Sequence, residues 1–490
     1  MKLKTLLLSL AACLTVGATA QEANVYASGL KANKIDGNQY EIAFVLNAPA
    51  SVTLNVGDKT FDLGDCAKGA NTMTVALEGV VGENLPWSIT ATADGATDDT
   101  VTKIGNVAFT STRGIAVDNN MESPYFGNIY VCETKSDSET GVMVYNAAFE
   151  GDGTVYGGNA GFTSSAASPQ RVFVGEDALY FCDWSDAHAN VYKADPADLT
   201  KDFTPIFGGN KASSGLRTTD DGTQIAGSVV SLWVKGAGED AVLYTFDEDY
   251  GNGNVLLQYN IGLAETPWVA APTAEIFNDP DNLMANGSSC IVPDATGWWI
   301  SQYRYSETAA NPSLIHITNE GVVDFNSATA GENGGPLVGN SQNGGMAINP
   351  AGTLLAIGAY TEVKVYEIVP TRGPAVLTPL YTFEHGLSNQ RVWDIAFDSA
   401  DNLYIANDNG AGVAYFALPK KDNSFTTEAP TNQALTIDAL TGVKSIDARQ
   451  VADIEYVNLQ GQRSTTPWQG VNVVITRYSD GTTNTSKIVK

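Results

Sequence analysis

Histidine is the scarcest ionisable residue of this chain, and its scarcity limits the available chemistry. The 490 residues include three histidines, His188, His316 and His385, and none has a second histidine at metal-ligand spacing. A three-histidine zinc site is therefore not expected. The sequence also lacks Gly-x-Ser-x-Gly, His-Glu-x-x-His and a Walker loop, so the common hydrolase, zinc-protease and nucleotide-binding patterns are absent.

Positive charge is scarce as well. Lys and Arg number 27 against 55 Asp and Glu, which gives a net charge of −28 at pH 7. Without a basic stripe to neutralise phosphates, nucleic acid is not an expected partner, and anionic membrane surfaces are disfavoured. Charge repulsion of this size keeps a protein in solution, and the composition fits a solvated extracellular protein.

Cysteine is too sparse for a disulfide scaffold. The chain has five cysteines, and Cys66, Cys132, Cys182 and Cys290 are far apart with no Cys-x-x-Cys pair. Small proteins held together by disulfides place many cysteines at short spacings, and zinc sites use paired ones. We therefore expect buried free thiols.

Long apolar runs are missing except at the start. "MKLKTLLLSLAACLTVGATA" combines Lys2 and Lys4 with a short apolar stretch and an Ala-Thr-Ala end. This pattern predicts a secretory signal peptide over 1–20, cleaved near Ala20–Gln21, and it is too short to anchor the chain in a bilayer. An alternative is a lipoprotein box, "LAAC", with Cys13 as the lipid carrier. Either reading predicts a secreted protein or one on the outer cell surface, without a membrane-spanning segment.

Alternating short strands fill residues 21–98. "QYEIAFVLNA" places Tyr40, Ile42, Phe44 and Leu46 on one face, and "SVTLNV" repeats the pattern, with Gly and Asp turns between the strands. Alternation with period two predicts a small β-sandwich. The segment resembles the immunoglobulin-like and fibronectin-like modules of bacterial surface proteins.

Residues 99–420 contain an internal repeat. Its apolar anchors are separated by 57, 60, 58, 56 and 49 residues, and they are Val117, Val174, Val234, Val292, Ile348 and Phe397. Each unit holds an apolar strand, a turn, an aromatic-rich strand and a third strand, and a variable fourth segment follows. Such a period predicts a six-bladed β-propeller, in which "KIGNVAFT" at 103–110 supplies the strand that closes the ring. The units resemble NHL-type propellers.

The remaining residues divide into two segments. Residues 421–442 are polar, contain Pro and show little pattern, which predicts a linker. Residues 443–490 include "YVNLQGQR", "PWQG", "SDGT" and a terminal "KIVK". This segment resembles the C-terminal sorting domain of the type IX secretion system of Bacteroidetes, with Leu459, Gly461, Pro467, Gly470 and Lys487 at the matching places. The resemblance implies a small β-sandwich, the type IX machinery as partner, export across the outer membrane, and release or surface attachment. The predicted fold class is thus all-β with three modules.

The candidate site follows from propeller geometry. In every blade the exit of the second strand and the entrance of the first strand lie on one face, around the channel. Carboxylates, amides, arginines and aromatics gather at these positions. The predicted ligand-binding residues are Arg113, Glu133, Arg171, Asp183, Trp184, Asp247, Tyr303, Arg391 and Asn407.

Two functions suit such a face. Aromatic rings stacked on sugars and polar groups bonded to hydroxyls would make it a non-catalytic binding face for carbohydrate, or else for protein. Alternatively, Glu133, Asp183, Asp247 and Asn407 would hold Ca²⁺ with oxygen ligands, as in the six-bladed lactonases that the fold resembles, for a hydrolase or lyase acting on a glycan or lactone. A structural component of the surface or matrix is a third possibility. We favour non-catalytic recognition and expect no catalytic residue.

Overall fold

The computed structural model describes residues 23–437 and 451–490, with gaps at 135–139, 158–159, 163–166, 186–187, 213–214, 252, 264–266, 280–282, 285–288, 305, 343, 388–390 and 408–411. The predicted signal peptide, its cleavage position and Cys13 lie outside the described residues. No helix in the described part of the chain is long and apolar enough to cross a membrane. Its helical elements are short 3₁₀ turns at Gly238–Asp240, Ile261–Leu263, Glu332–Gly334 and Thr431–Gln433.

A two-sheet sandwich forms the N-terminal module. One sheet consists of Ala27–Asp36, Gln39–Leu46 and Gly69–Ala76, and the other contains Trp87–Thr92, Ala50–Val56 and Lys59–Cys66. The alternating residues Ile42, Phe44, Leu46, Val52 and Leu54 are almost completely buried between the sheets. The strand alternation read from the sequence therefore identifies the inner faces correctly.

The prediction of a linker over 421–442 is wrong for the described part of that segment. Ser424–Glu428 pairs with Trp87–Thr92 as the edge strand of the second sheet, and Leu435–Ile437 pairs with Gly82–Leu85. Leu435 and Ile437 are buried in the sandwich core. The propeller is therefore inserted between two neighbouring strands of the sandwich, because the chain leaves after Thr92 and returns at Ser424.

Six blades surround a channel, as the repeat predicts. Counted outward from the channel, blade 1 consists of Thr112–Val117, Ile129–Glu133 and Gly141–Tyr145, and Tyr156 bridges to Val142 at its outer edge. The other blades have four strands each: Arg171–Val174, Leu179–Asp183, Asn190–Ala194 and Thr204–Pro205 in blade 2; Ser228–Lys235, Val242–Tyr250, Gly253–Tyr259 and Ala274–Asn278 in blade 3; Cys290–Pro293, Gly297–Ser301, Leu314–Thr318 and Val323–Asn326 in blade 4; Met346–Ile348, Leu354–Ala359, Glu362–Val369 and Val376–Glu384 in blade 5; Asp394–Phe397, Asn402–Asn407, Gly412–Ala417 and Thr102–Val107 in blade 6.

The ring closes where the sequence predicts. Thr102–Val107, which precedes blade 1 in the chain, pairs with Gly412–Ala417 as the outermost strand of blade 6. The first strands of successive blades contact one another around the channel, and blade 6 contacts blade 1. A small three-stranded sheet, Asn210–Lys211, Arg217–Thr218 and Gln224–Ala226, lies in the chain between blades 2 and 3.

Buried amides attach the sandwich to blade 6. The Asn402 side chain accepts from the Asn24 amide at 2.9 Å and donates to the Asn24 carbonyl at 2.8 Å, while the Asn24 side chain donates to the carbonyls of Asp401 and Leu418. Asn423 accepts from the Val25 amide and donates to the Ala23 carbonyl. These satisfied polar groups define how the two modules join.

The C-terminal residues form a separate antiparallel sheet. Its four strands are ordered Arg463–Ser464, Val451–Asn458, Val471–Tyr478 and Thr483–Val489. A second layer of the predicted small sandwich does not occur among residues 451–490, and residues 443–450 lie outside the described part.

Candidate functional site

The polar residues at the second-strand exits are buried and bonded inside their own blades. Glu133 accepts from the amides of Thr110 and Ser111, and Asp183 accepts from the Ser168 amide at 3.1 Å. Blades 3, 4 and 6 have corresponding bonds. Asp247 accepts from the Gly227 amide, Gln302 accepts from the Met284 amide, and Asn407 donates to the Arg391 carbonyl. In each case the bonded segment is the one that enters the blade's first strand. These side chains therefore hold the blade entrances in place.

The four residues of the predicted cation site are each committed to a local hydrogen bond. Glu133, Asp183, Asp247 and Asn407 are completely buried, and each bonds a different entrance segment. Within the described ranges, no group of three or more His, Cys, Asp or Glu side chains is placed to hold a metal ion. A Ca²⁺ ion shared by Glu133, Asp183, Asp247 and Asn407 stays a prediction, and binding it would compete with the hydrogen bonds that these side chains make to the blade entrances.

Arg171, also predicted to bind ligand, is buried in the channel. Its Nη1 lies 2.5 Å from Oδ1 of Asp394, and Nε and Nη2 donate to the carbonyls of Val230 and Ser289. The carbonyls belong to blades 3 and 4, while Asp394 belongs to blade 6. First strands of a propeller present an unpaired edge to the channel, and Arg171 satisfies part of it. These contacts tie blade 2 to blades 3, 4 and 6.

His188 is half-buried and bonds to the buried Asp183. Its Nδ1 lies 3.1 Å from Oδ2 of Asp183 and 2.9 Å from the Tyr192 hydroxyl. The Asp183 carboxylate that orients the imidazole also accepts hydrogen bonds from the backbone amides of Ser168 and Ser185. Asp186, which the sequence would group with this pair, lies outside the described residues.

Four of the predicted residues reach the surface of this face. Trp184 is half-buried and donates from Nε1 to Oε2 of Glu248 at 2.6 Å, which joins blades 2 and 3. Tyr303 is half-buried after the second strand of blade 4. The guanidinium carbon of Arg113 lies 4.2 Å from the centre of the Trp393 ring, and that of exposed Arg391 lies 6.0 Å from it.

A cavity of about 850 Å³ occupies the channel and opens on the opposite face. Its inner end is lined by the buried residues Arg171, Cys290, Met346 and Asp394. The exposed residues along it, Asn120, Glu176, Pro350 and Gly352, belong to turns that follow the first strands. We call this opening the channel mouth. The sequence-based choice of face missed it.

Two aromatic side chains from neighbouring blades line the cavity. Phe173 of blade 2 and Trp233 of blade 3 are half-buried, and their ring centres are 4.6 Å apart at an angle of 53°. Each directly precedes a repeat anchor, Val174 or Val234, where the other blades carry Ala or Ile. That difference between repeats was the available signal for these residues.

The four cysteines in the described part of the chain are free and buried, which confirms the expectation of buried thiols. Burial raises the pKa of Cys182 and of Cys290 to about 12, and the positive charge of Arg171 only partly opposes this. These thiols are therefore protonated at neutral pH, and none is an activated nucleophile.

No protein-family model matches the chain, and no curated protein matches it. Among solved structures it is similar to the PQQ domain of a pyranose dehydrogenase from Coprinopsis cinerea, with 11% identity, 66% of this chain and 96% of that chain covered, and a TM-score of 0.41. It is also similar to a calcium-binding protein, regucalcin, from Agrobacterium tumefaciens strain C58, with 13% identity, 67% and 94% covered, and a TM-score of 0.36. Identities and TM-scores this low carry no inference about ligand or activity, so the ligands and activities of those proteins are said of them alone.

Proposed function

We propose that this protein is a non-catalytic binding protein, secreted or displayed on the outer cell surface, whose propeller takes a carbohydrate ligand at the channel mouth. The observation that carries the proposal is the cavity of about 850 Å³ with Phe173 and Trp233 in its wall. Its size lies within the usual range of small-ligand sites, and such sites combine an apolar wall with a few polar groups.

The aromatic pair supplies the apolar wall. Phe173 and Trp233 each keep part of the ring accessible while packing against the blade cores. A rigid ring costs little conformational entropy on binding and offers a flat apolar surface. The apolar C–H face of a sugar ring is complementary to such a surface.

Polar groups for hydroxyls lie at the rim. Glu176 and Asn120 are exposed at the opening, in the turns of blades 2 and 1. The unpaired strand edges that line the channel add backbone donors and acceptors. A carboxylate, an amide and backbone groups beside aromatic rings favour a polyhydroxylated ligand over a purely apolar one.

The test is a glycan array probed with the chain from Gln21 onward, once with Ca²⁺ and once with EDTA. We expect selective binding that survives EDTA, that Trp233→Ala abolishes, and that Glu176→Gln weakens without changing the melting temperature. Trp468→Ala is the matched control, because Trp468 is an exposed tryptophan in the C-terminal sheet. Equal binding by the Trp233 and Trp468 variants would remove the channel mouth as the site.

The alternatives give other results in the same experiment. Binding or product formation that EDTA abolishes would support the Ca²⁺-dependent hydrolase or lyase. A blank array in both conditions would indicate a protein ligand or a structural role in the surface or matrix.

Localisation and export are part of the proposal. The residues 1–20 and the sorting-domain pattern of 443–490 support passage through the type IX machinery as partner. Deleting 443–490 in a bacterium with this secretion system should retain the protein in the periplasm, which cell fractionation measures. Full release of the deleted chain would contradict this route.

A further inference from the structure

Glu176 is an exposed carboxylate at the channel mouth. It lies in the turn after the first strand of blade 2 and lines the channel cavity. Among the residues that the structure describes, it has no hydrogen-bond or ion-pair partner. Its neighbour Asp177, in contrast, pairs with Lys193 at 3.2 Å and accepts from the Gly238 amide. The Glu176 carboxylate is therefore available to a ligand that enters the cavity.

The wall of the cavity is negatively charged. Its charged residues, within the described part of the chain, are Asp118, Arg171, Glu176 and Asp394. The positive charge of Arg171 is matched by Asp394, because Nη1 lies 2.5 Å from Oδ1. Asp118 is buried, and its carboxylate accepts from the Asn120 amide and the Ser123 hydroxyl. Exposed Lys235, two residues after Trp233, does not line the cavity. An acidic sugar would therefore meet negative charge without a cation to bind it.

The aromatic pair in this wall also favours a positive ligand. The face of an aromatic ring attracts a cation within about 6 Å of its centre, and tryptophan does so most strongly. Phe173 and Trp233 both line the cavity and are half-buried, so part of each ring is accessible. Phe173 lies three residues before Glu176, and the bond from Gly238 to Asp177 holds the Glu176 turn against blade 3, which carries Trp233. Rings and carboxylate thus belong to the same side of the opening.

We propose that the channel mouth selects carbohydrates that carry a free amino group, whose ammonium binds Glu176 and the Trp233 ring. This inference rests on the proposed carbohydrate site and names its ligand class. An ammonium carries three donors and forms charge-assisted hydrogen bonds with a carboxylate. A neutral sugar leaves the charge of Glu176 unmatched, and acetylation of the amine removes the charge that the mouth recognises.

The experiment compares three trisaccharides that differ in charge. A trisaccharide of glucosamine, its fully N-acetylated form and a trisaccharide of galacturonic acid are titrated by calorimetry into the chain from Gln21 onward. The ionic strength is constant and the pH is about 6, at which a primary amine is protonated. We expect the glucosamine trisaccharide to bind about tenfold more tightly than the acetylated one, and the acidic one to bind most weakly, because the mouth pairs with positive charge and repels negative charge.

Charge variants separate the mouth from the acidity of the whole chain. Glu176→Gln should weaken binding of the glucosamine trisaccharide about tenfold, the loss expected from one charge-assisted hydrogen bond, and should affect the acetylated one far less. Glu320→Gln is the matched control. It changes the net charge equally, and Glu320 is an exposed residue in the turn between the third and fourth strands of blade 4 that does not line the cavity.

Three results would overturn the selectivity for amines. The first is the absence of binding by the glucosamine trisaccharide, and the second is equal affinity for that trisaccharide and its acetylated form. The third is an equal effect of the Glu176 and Glu320 variants. Thermal unfolding of each variant confirms that it is folded before the titration.

Trp233→Ala distinguishes this failure from failure of the carbohydrate site itself. If a neutral or acidic sugar binds and Trp233→Ala abolishes that binding, the carbohydrate site stands and the selectivity for amines alone is wrong. If the glycan array is blank, or if Trp233→Ala weakens none of the sugars that bind, the carbohydrate site fails and the selectivity fails with it.

Discussion

Arg171 of blade 2 and Asp394 of blade 6 meet across the channel, with Nη1 2.5 Å from Oδ1. Asp394 also accepts from the Ile115 amide of blade 1, and Arg171 donates to carbonyls of blades 3 and 4. Burial raises the pKa of Asp394 to about 6 against the opposing charge of Arg171. Burial lowers the pKa of Arg171, but the Asp394 carboxylate together with the Cys290 and Cys182 side chains raises it by a larger amount and leaves that pKa above its ordinary value. One ion pair thus connects five of the six blades.

Removing one partner of this pair should be costly. Arg171→Met leaves the Asp394 carboxylate buried without its cation and removes two donors from the strand edges. We expect a loss of about 3–5 kcal/mol in the free energy of unfolding, measured by urea denaturation. Lys201→Met is the control, since the Lys201–Asp195 pair at 2.9 Å lies on the surface and should contribute little. Equal stability of the two variants would show that Arg171 does not hold the blades.

The second-strand exits should behave as structural positions. Asp183→Ala removes the acceptor for the amides of Ser168 and Ser185, and we expect a loss of about 2–3 kcal/mol because both amides lose their partner. Asp152→Ala removes a similar turn bond, to Thr154 at 2.8 Å, on the exposed surface. A melting temperature that falls in the first variant and not in the second would confirm the role. An unchanged value in both would return Asp183 to the list of ligand residues.

Two buried carboxyl groups should make the free energy of unfolding decrease as pH rises from about 4 to 7. Burial raises the pKa of Asp247 and of Asp398 to about 7 in the folded chain. The unfolded chain deprotonates near its ordinary value of about 4, so the folded state binds more protons in this window. Each group then contributes a loss of about 1.4 kcal/mol per pH unit.

Asp247→Asn tests this dependence. The amide oxygen still accepts from Gly227 but does not titrate, so the variant should lack the Asp247 contribution to the slope. Urea midpoints at four pH values between 4.5 and 7.5 measure the difference from the native chain. Parallel curves for the two proteins would contradict the raised pKa.

The returning strands should be essential to the sandwich. A chain that ends at residue 420 lacks the edge strand Ser424–Glu428 and the buried Leu435 and Ile437, and Trp87 loses the Gln433 carbonyl that its Nε1 bonds at 2.8 Å. We expect rapid proteolysis within 23–92 in this chain and resistance in a chain that ends at 442. Identical digestion of both would mean that the sandwich is complete without the return.

The sequence predicted the parts of the fold that repeat. Alternation identified the buried faces around Ile42 and Val52, and equal spacing identified six blades and the closing strand. It failed at Ser424–Glu428, where a short polar edge strand flanked by Pro has too few apolar residues to reveal its partner. Pairing with Trp87–Thr92 is a long-range property that no local pattern records.

The candidate site was harder to predict, because the sequence does not show which way a side chain points. Asp183 and Asp247 occupy positions where a carboxylate can face solvent or turn back to its own backbone, and both choices leave the same sequence. Phe173 and Trp233 were hidden for a different reason, since apolar residues in an inner strand are normally core. Only comparison between repeats separates them, because Ala116, Ala347 and Ala396 occupy the equivalent places in three other blades.

The insertion of the propeller into the sandwich determines an order of assembly. Thr92 and Ser424 bond across the paired strands although 332 residues separate them. A chain delivered from its N-terminus therefore holds an open strand edge at Trp87–Thr92 until the whole propeller has emerged, and contacts of this range form slowly. The sandwich can therefore close only in a chain whose propeller has emerged completely. A chain interrupted anywhere in the blades keeps an unpaired strand edge that proteases and chaperones can recognise.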